Sequence, residues 1–236
     1  MIDLQFLGRG AGFNPAEGSN SAWFMESNKL FLIDCGESVF RIIFERKIID
    51  TATELNLFIT HTHSDHVGSL GTLILYAYME KKIPVNIIID DAMIYLANIK
   101  TLLKIYGLKE NMYNFIEAKS LDGIFSVFSK VRYIKTMHCD ELDSCGLLFE
   151  TKAGLVFYSS DMRVIDPVMD LINSGRPIDK IYVDTNSNKG PHHLSLQELK
   201  DTIPEGIKSK IHCMHLNNNQ CMSDALAWGF TVVETV

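Results

Sequence analysis

Six consecutive positions, His61-Thr62-His63-Ser64-Asp65-His66, hold three imidazoles and a carboxylate. Imidazole and carboxylate together suit zinc or a similar divalent ion. His61 and His63 lie two apart, so extended backbone points both rings to one side. A turn after them can aim Asp65 and His66 at a neighbouring point. One short loop could thus feed ligands to two adjacent metals. A lone histidine at a strand end is ordinarily capped or half exposed, an account that does not extend to four donors in six residues.

The flanking sequence says what holds this loop. Leu55-Asn56-Leu57-Phe58-Ile59 is a short bounded apolar run, the signature of a buried strand. Behind the loop, Leu70, Leu73, Ile74 and Ala77 recur at the spacing of a buried helix. Upstream, residues 2–7 alternate as a half-buried strand, followed by a loop carrying Gly8, Gly10 and Gly12. That loop has no P-loop lysine, and a tight turn beside the site is its simplest role. Ser21–Met25 and Leu30–Ile33 read as strands, and a helix is expected from Ser38 to about Arg46. Further on, the pattern predicts a strand at Val85–Ile89 and a helix over Ala92–Tyr106, capped by Asp90-Asp91 and stopped by Gly107. Its apolar stripe (Met93, Tyr95, Leu96, Ile99, Leu102, Leu103, Tyr106) is read as core packing. Strands follow at Phe125–Phe128, Val131–Met137, Leu147–Thr151, Leu155–Ser159 and Ile181–Asp184. Ser195 can cap a helix beginning near Leu196, with Glu198 completing a capping box. A strand over Lys210–His215 and an edge strand at Phe230–Val233 close the chain. No internal repeat is visible.

The H-x-H-x-D-H pattern, in its strand-to-helix setting, resembles the metallo-β-lactamase superfamily. The strings LGRGAGFN and LFLIDCGE resemble its tRNase Z-like branch. The longer run LGRGAGFN…SNSAWF…LFLIDCGESVF resembles the arm-less cyclic nucleotide phosphodiesterases of the phage anti-Pycsar type. The resemblance implies an α/β fold, a four-layer αββα sandwich, formed by one domain over residues 1–236. It also implies two divalent metal ions, zinc with manganese as the alternative. One metal would take His61, His63 and His138; the other Asp65, His66 and His215. Asp161, at the end of the apolar strand Leu155–Ser159, would bridge them, since a carboxylate can span two cations and an imidazole cannot. Its ordinary alternative is a helix N-cap for the stretch after Asp166.

Such a cation pair clamps an attacked phosphorus and lowers the pKa of water towards ~7. Asp65 is expected to orient the nucleophile as well as ligate. His193, in His193-Leu194-Ser195, matches the branch's non-ligand histidine before a helix and is expected to meet the departing oxygen, with Ser195 beside it in substrate binding. Relatives place a His-Glu pair before this loop where the present chain has Val183-Asp184-Thr185, which leaves the partner of His193 open. Asp34 is expected to be a buried structural carboxylate, His212 structural, and Cys139 and Cys213 packing residues.

Length and composition narrow the substrate. At 236 residues, with 47% hydrophobic and 22% charged residues, the chain can bury a sizeable core. The net charge is −7 without a Lys/Arg stripe, which disfavours long nucleic acid as a partner. About twenty residues between His138 and Asp161 leave no room for the arm with which tRNase Z enzymes grip tRNA. No apolar run approaches the ~20 residues of a membrane helix. Without an export signal the five cysteines are expected to be reduced, in a bacterial or phage-infected cytoplasm. A small anionic cyclic nucleotide is therefore the expected substrate, RNA 3′ ends the alternative. A homodimer is implied by the resemblance alone.

Overall fold

The computed structural model describes residues 2–93 and 95–236. These form two six-stranded mixed sheets. The first is β1 (Gln5–Gly8), β2 (Ser21–Glu26), β3 (Lys29–Ile33), β4 (Glu54–Phe58), β5 (Val85–Ile89) and β6 (Asn114–Glu117), adjacent in chain order. The second is β7 (Lys130–Thr136), β8 (Ser144–Glu150), β9 (Leu155–Tyr158), β10 (Ile178–Asp184), β11 (Ile211–Met214) and β12 (Thr231–Val232), again in chain order. Within each sheet the first two pairings are antiparallel and the last three parallel. The two halves thus repeat one topology, although no sequence repeat announces it.

Helices α1 (Val39–Glu45), α2 (Ser64–Val67), α3 (Leu70–Tyr76) and α4 (Leu96–Ile105) belong to the first half, and α5 (Asp166–Asn173), α6 (Leu196–Thr202) and α7 (Asn219–Ala227) to the second. Period-two alternation sorts the strands between two cores. Leu147, Phe149, Val156, Tyr158, Tyr182 and Met214 point to the core shared with the first sheet. Their neighbours Phe157, Ile181, Val183, Ile211 and Cys213 join the core beneath α5, α6 and α7. In β3, Leu30, Phe31, Leu32 and Ile33 are all fully buried, because both faces of the strand are covered. The result is the expected αββα sandwich.

An aromatic cluster ties the sheets together. Phe24 and Phe31 stack at 4.7 Å, and Phe149 from the other sheet meets Phe24 and Phe58 edge-on at 6.1 and 5.8 Å. The sequence expectations differ from the structure in two segments. Phe125–Phe128 forms no strand; its phenylalanines instead turn inward onto Phe31, at 5.0 and 6.0 Å. The helix expected from Ala92 begins only at Leu96, because Asp90 accepts the Ala92 N–H within a turn (3.1 Å) rather than capping a helix; Ile94 lies outside the described residues. The stripe reading holds for Met93, Tyr95, Ile99 and Leu103, all buried. No helix among the described residues is long and apolar enough to cross a membrane.

Phe149 fills the junction of both sheets, so Phe149→Ala should lower unfolding free energy by about 3–5 kcal/mol, read from the urea midpoint.

Candidate metal centre

Parallel strands gather their carboxyl ends at one edge of the sandwich, where ligand sites of open α/β sheets form. β3 delivers Asp34; β4 leads through Ile59 and Thr60 into the His61–His66 loop; β9 leads to Asp161, β10 ends in Asp184 and β11 leads to His215. His138 follows β7. All seven residues singled out as metal ligands converge here. His61, His63, His138 and Asp161 form one donor set, and Asp65, His66, Asp161 and His215 form a second, with Asp161 common to both.

In the first set His61 Nε2 lies 3.1 Å from His63 Nδ1, which lies 3.2 Å from His138 Nε2. Ligands bonded tetrahedrally at ~2.0–2.1 Å stand about 3.3 Å apart, so the spacing fits a coordinated ion. The rings' outer nitrogens fix which atom faces inward. His138 Nδ1 donates to the His192 carbonyl (2.9 Å), and His61 Nδ1 donates to Thr60 Oγ1 (3.2 Å), whose own proton goes to Asp34. His61 Nε2 and His138 Nε2 therefore turn lone pairs toward His63 Nδ1. Burial, with the crowding of like imidazoles, holds His61 well below the usual histidine range, and burial lowers His63 and His138 too.

The second set is richer in carboxylate. Asp161 Oδ1 lies 3.2 Å from His66 Nε2 and 3.4 Å from His215 Nε2, while Asp65 Oδ2 lies 3.3 Å from His215 Nε2. Burial opposes charge on all of them. Even so, Asp161 and Asp34 hold His66 well above its ordinary value, and Asp161, Asp184 and Asp65 push His215 up to about 10. Reciprocally, His215 and His66 hold the buried Asp161 carboxyl well below the carboxylate range. His66 Nε2 and Asp161 Oδ1 are nonetheless buried without a properly aligned hydrogen bond. Donor atoms aimed at a common point and unsatisfied by one another are what a divalent cation would complete.

Around these donors the backbone is held in conformations that few residues adopt. Asp34, Ser160 and His215 have φ of +62°, +56° and +54°. Asp34 is fully buried; its carboxylate accepts from Thr60 N (2.8 Å), Thr60 Oγ1 (2.7 Å) and His66 Nδ1 (2.8 Å), the structural role expected of it. The main chain at Gly36 passes so close to the loop that an added Cβ would stand 1.9 Å from the Asp65 carbonyl oxygen. The glycine-rich loop after β1 is laced to the exit of β11, with Ala11 N donating to Leu216 O (3.0 Å) and Leu216 N to Arg9 O (2.7 Å). It is the turn beside the site that its glycines suggested, and it steadies His215.

The open question about His193 is answered by Asp184. His193 Nδ1 donates to Asp184 Oδ2 at 2.8 Å, and that oxygen also accepts Met162 N–H at 3.0 Å. Asp184 Oδ1 lies 3.3 Å from His215 Nδ1, though out of line for a good hydrogen bond. Burial opposes charge on His193, but Asp184 wins and raises its pKa. Sequence reasoning did not assign Asp184; the available signal was an acid ending an apolar strand at the same edge as Asp161. His192 is exposed at the rim of the cleft, its ring 6.1 Å from that of His138, and its carbonyl accepts from His138 Nδ1. Ser195, expected in substrate binding, is not brought to the cleft. It is buried, and its hydroxyl accepts the Glu198 N–H (3.2 Å) as the cap of α6. His212 packs on Tyr182 away from the centre, and Cys213 is buried among apolar residues, as expected.

A cleft of about 630 Å³ opens over the centre, lined by His63, Asp65, His138, Asp161, His193 and His215 together with Gly12, Phe13, Asn186 and Asn217. Its size suits a small ligand.

Comparison with known proteins agrees with this architecture. The metallo-β-lactamase fold protein YhfI from Bacillus subtilis superposes with a TM-score of 0.72 at 18% identity, covering 99% of this chain and 95% of that one. Human tRNase Z, short form, superposes with a TM-score of 0.66 at 16% identity, covering 99% and 96%. In sequence, an Anti-Pycsar protein Apyc1 from Bacillus phage BSP38 is 25% identical over 232 residues, 92% of this chain and 89% of the relative. The family model described as Anti-Pycsar protein Apyc1 matches residues 2–232, nearly the whole of a chain that carries both donor sets, and the chain belongs to that family.

Proposed function

We propose that the chain is a dinuclear metal-dependent phosphodiesterase that hydrolyses 3′,5′-cyclic nucleotides. The observation that carries this reading is the pair of donor sets sharing one carboxylate, Asp161, beneath a cleft that also presents His193. The family's Anti-Pycsar description supports a cyclic nucleotide signal as the substrate. His61, His63 and His138 would hold one ion, Asp65, His66 and His215 the other, with zinc or manganese as the metal. Two cations so held supply charge neutralisation for a phosphodiester and a more acidic water.

The chain's own groups then divide the work. Asp65 lines the cleft and would orient the attacking water. Burial opposes its ionisation, but His215 and His66 hold its carboxyl below the usual range, so it serves as an acceptor. His193, whose pKa Asp184 raises, would donate its proton to the ribose oxygen as water attacks phosphorus and the P–O bond breaks, giving a nucleoside monophosphate. Asp184 fixes the ring, and its contact with His215 ties the proton donor to the metal site.

An RNA 3′-processing nuclease is the second reading, favoured by the superposition on human tRNase Z. Against it, residues 139–143 alone join His138 to β8, leaving no protruding arm in that segment, and the net charge is −7.

Chelated and reloaded protein should bind about two equivalents of zinc or manganese per chain by elemental analysis. His63→Ala should retain about one, and Asp161→Ala should fall below that. Metal-loaded parent should hydrolyse cyclic mononucleotides and leave tRNA precursors uncut; the opposite preference would establish the nuclease. His193→Ala should reduce kcat on cyclic nucleotides by about 10²–10⁴-fold at unchanged metal content. The loss should be much smaller on a nitrophenyl phosphodiester, whose leaving group needs no proton.

A further inference from the structure

The loop over the cleft carries one side chain that the metal centre leaves unused. Phe13 is 104% exposed, as open to water as in an extended chain, although it lines the cleft. Its backbone is not loose. Asn14 N donates to Ala11 O (2.8 Å), closing a tight turn with Gly12 and Phe13 at its centre. Ala11 N and Asn14 Nδ2 both donate to Leu216 O, at 3.0 and 2.9 Å, fastening the turn to the residue that follows His215. Gly12 packs against Asp65, since a Cβ there would stand 2.9 Å from Oδ2. The neighbouring Cα lies about 3.8 Å further on. A bulky aromatic thus stands at the tip of a pinned turn, one residue from the cluster, where turn chemistry alone would select a small polar residue.

We propose that Phe13 is the platform on which the nucleobase stacks while the phosphodiester lies at the His/Asp centre. The inference rests on the cyclic nucleotide reading and adds to it the residue that engages the base. An aromatic face accepts any base, because every base has a π-face, so Phe13 favours nucleotides over base-free phosphodiesters without reading base identity. Full exposure in the free protein fits this role. Among the described residues no aromatic ring or cation packs on it, and a stacked base would cover it. The polar side chains Asn186 and Asn217 line the same space.

The test compares hydrolysis of cyclic AMP, cyclic UMP and base-free ribose 3′,5′-cyclic phosphate by metal-loaded parent, Phe13→Ala and Phe13→Tyr. Phe13→Ala should cut the preference for both nucleotides over the base-free compound by about 10-fold or more, through KM rather than kcat, and Phe13→Tyr should restore it. As an exposed residue, Phe13 can be truncated without loss of folding. A parental preference retained in Phe13→Ala, with normal nucleotide turnover, overturns the stacking role alone. An equal loss on all three compounds also overturns it, since the loop would then act only through Asp65. A parent that cuts neither nucleotide overturns the cyclic nucleotide reading itself, and the platform with it.

Discussion

The site depends on a carboxylate placed where a carboxylate is costly. Asp161 is 1% exposed, and burying an isolated ionised group costs several kcal/mol even after relaxation. What compensates is the pair His66 and His215, whose Nε2 atoms stand 3.2 and 3.4 Å from Asp161 Oδ1, while His61 and His138 bring their Nε2 atoms to 3.8 and 3.6 Å from Oδ2. Neither side of this arrangement is satisfied by hydrogen bonds alone. The surrounding network exists to keep it in place. Thr136 and Ser144 both reach the Asp161 carbonyl, Ser159 Oγ accepts the Asp184 N–H, and Asp34 holds the outer nitrogen of His66.

The same constraint explains why the backbone is strained just there. Left-handed conformations at Asp34, Ser160 and His215 are unfavourable for residues with a Cβ, and they persist because hydrogen bonds on both sides over-determine them. Asp34 and His215 each directly follow a strand and carry a side chain of the site, and Ser160 directly precedes Asp161. Strain and donor placement are one feature, seen first in the main chain and then in the side chains.

Much of this was legible in the sequence. The donors of the His61–His66 loop announce themselves by density, whereas His138, Asp161 and His215, each standing just after a strand, were assigned through the family resemblance. Asp34, ending the apolar strand Leu30–Ile33, was read as a buried, hydrogen-bonded structural carboxylate, and its three hydrogen bonds agree with that role. Asp184 was not assigned, because a lone acid after a strand has several ordinary uses and only the folded chain shows it 2.8 Å from His193. Ser195 was over-read: the capping signal in Ser195–Glu198 was correct, and the hydroxyl is buried against the helix rather than in the cleft. Phe125–Phe128 has the composition of a strand but pairs with nothing; its phenylalanines are recruited into the inter-sheet core, where tertiary packing overrides local propensity.

The repeated topology has a consequence for how the molecule comes apart. His61, His63, Asp65 and His66 arise from the first half of the chain, and His138, Asp161 and His215 from the second. Neither half alone offers a complete donor set, so any cation held between them acts as a clasp across the seam. Packing of the two sheets and retention of the ion become linked equilibria, so that whatever strengthens the one strengthens the other.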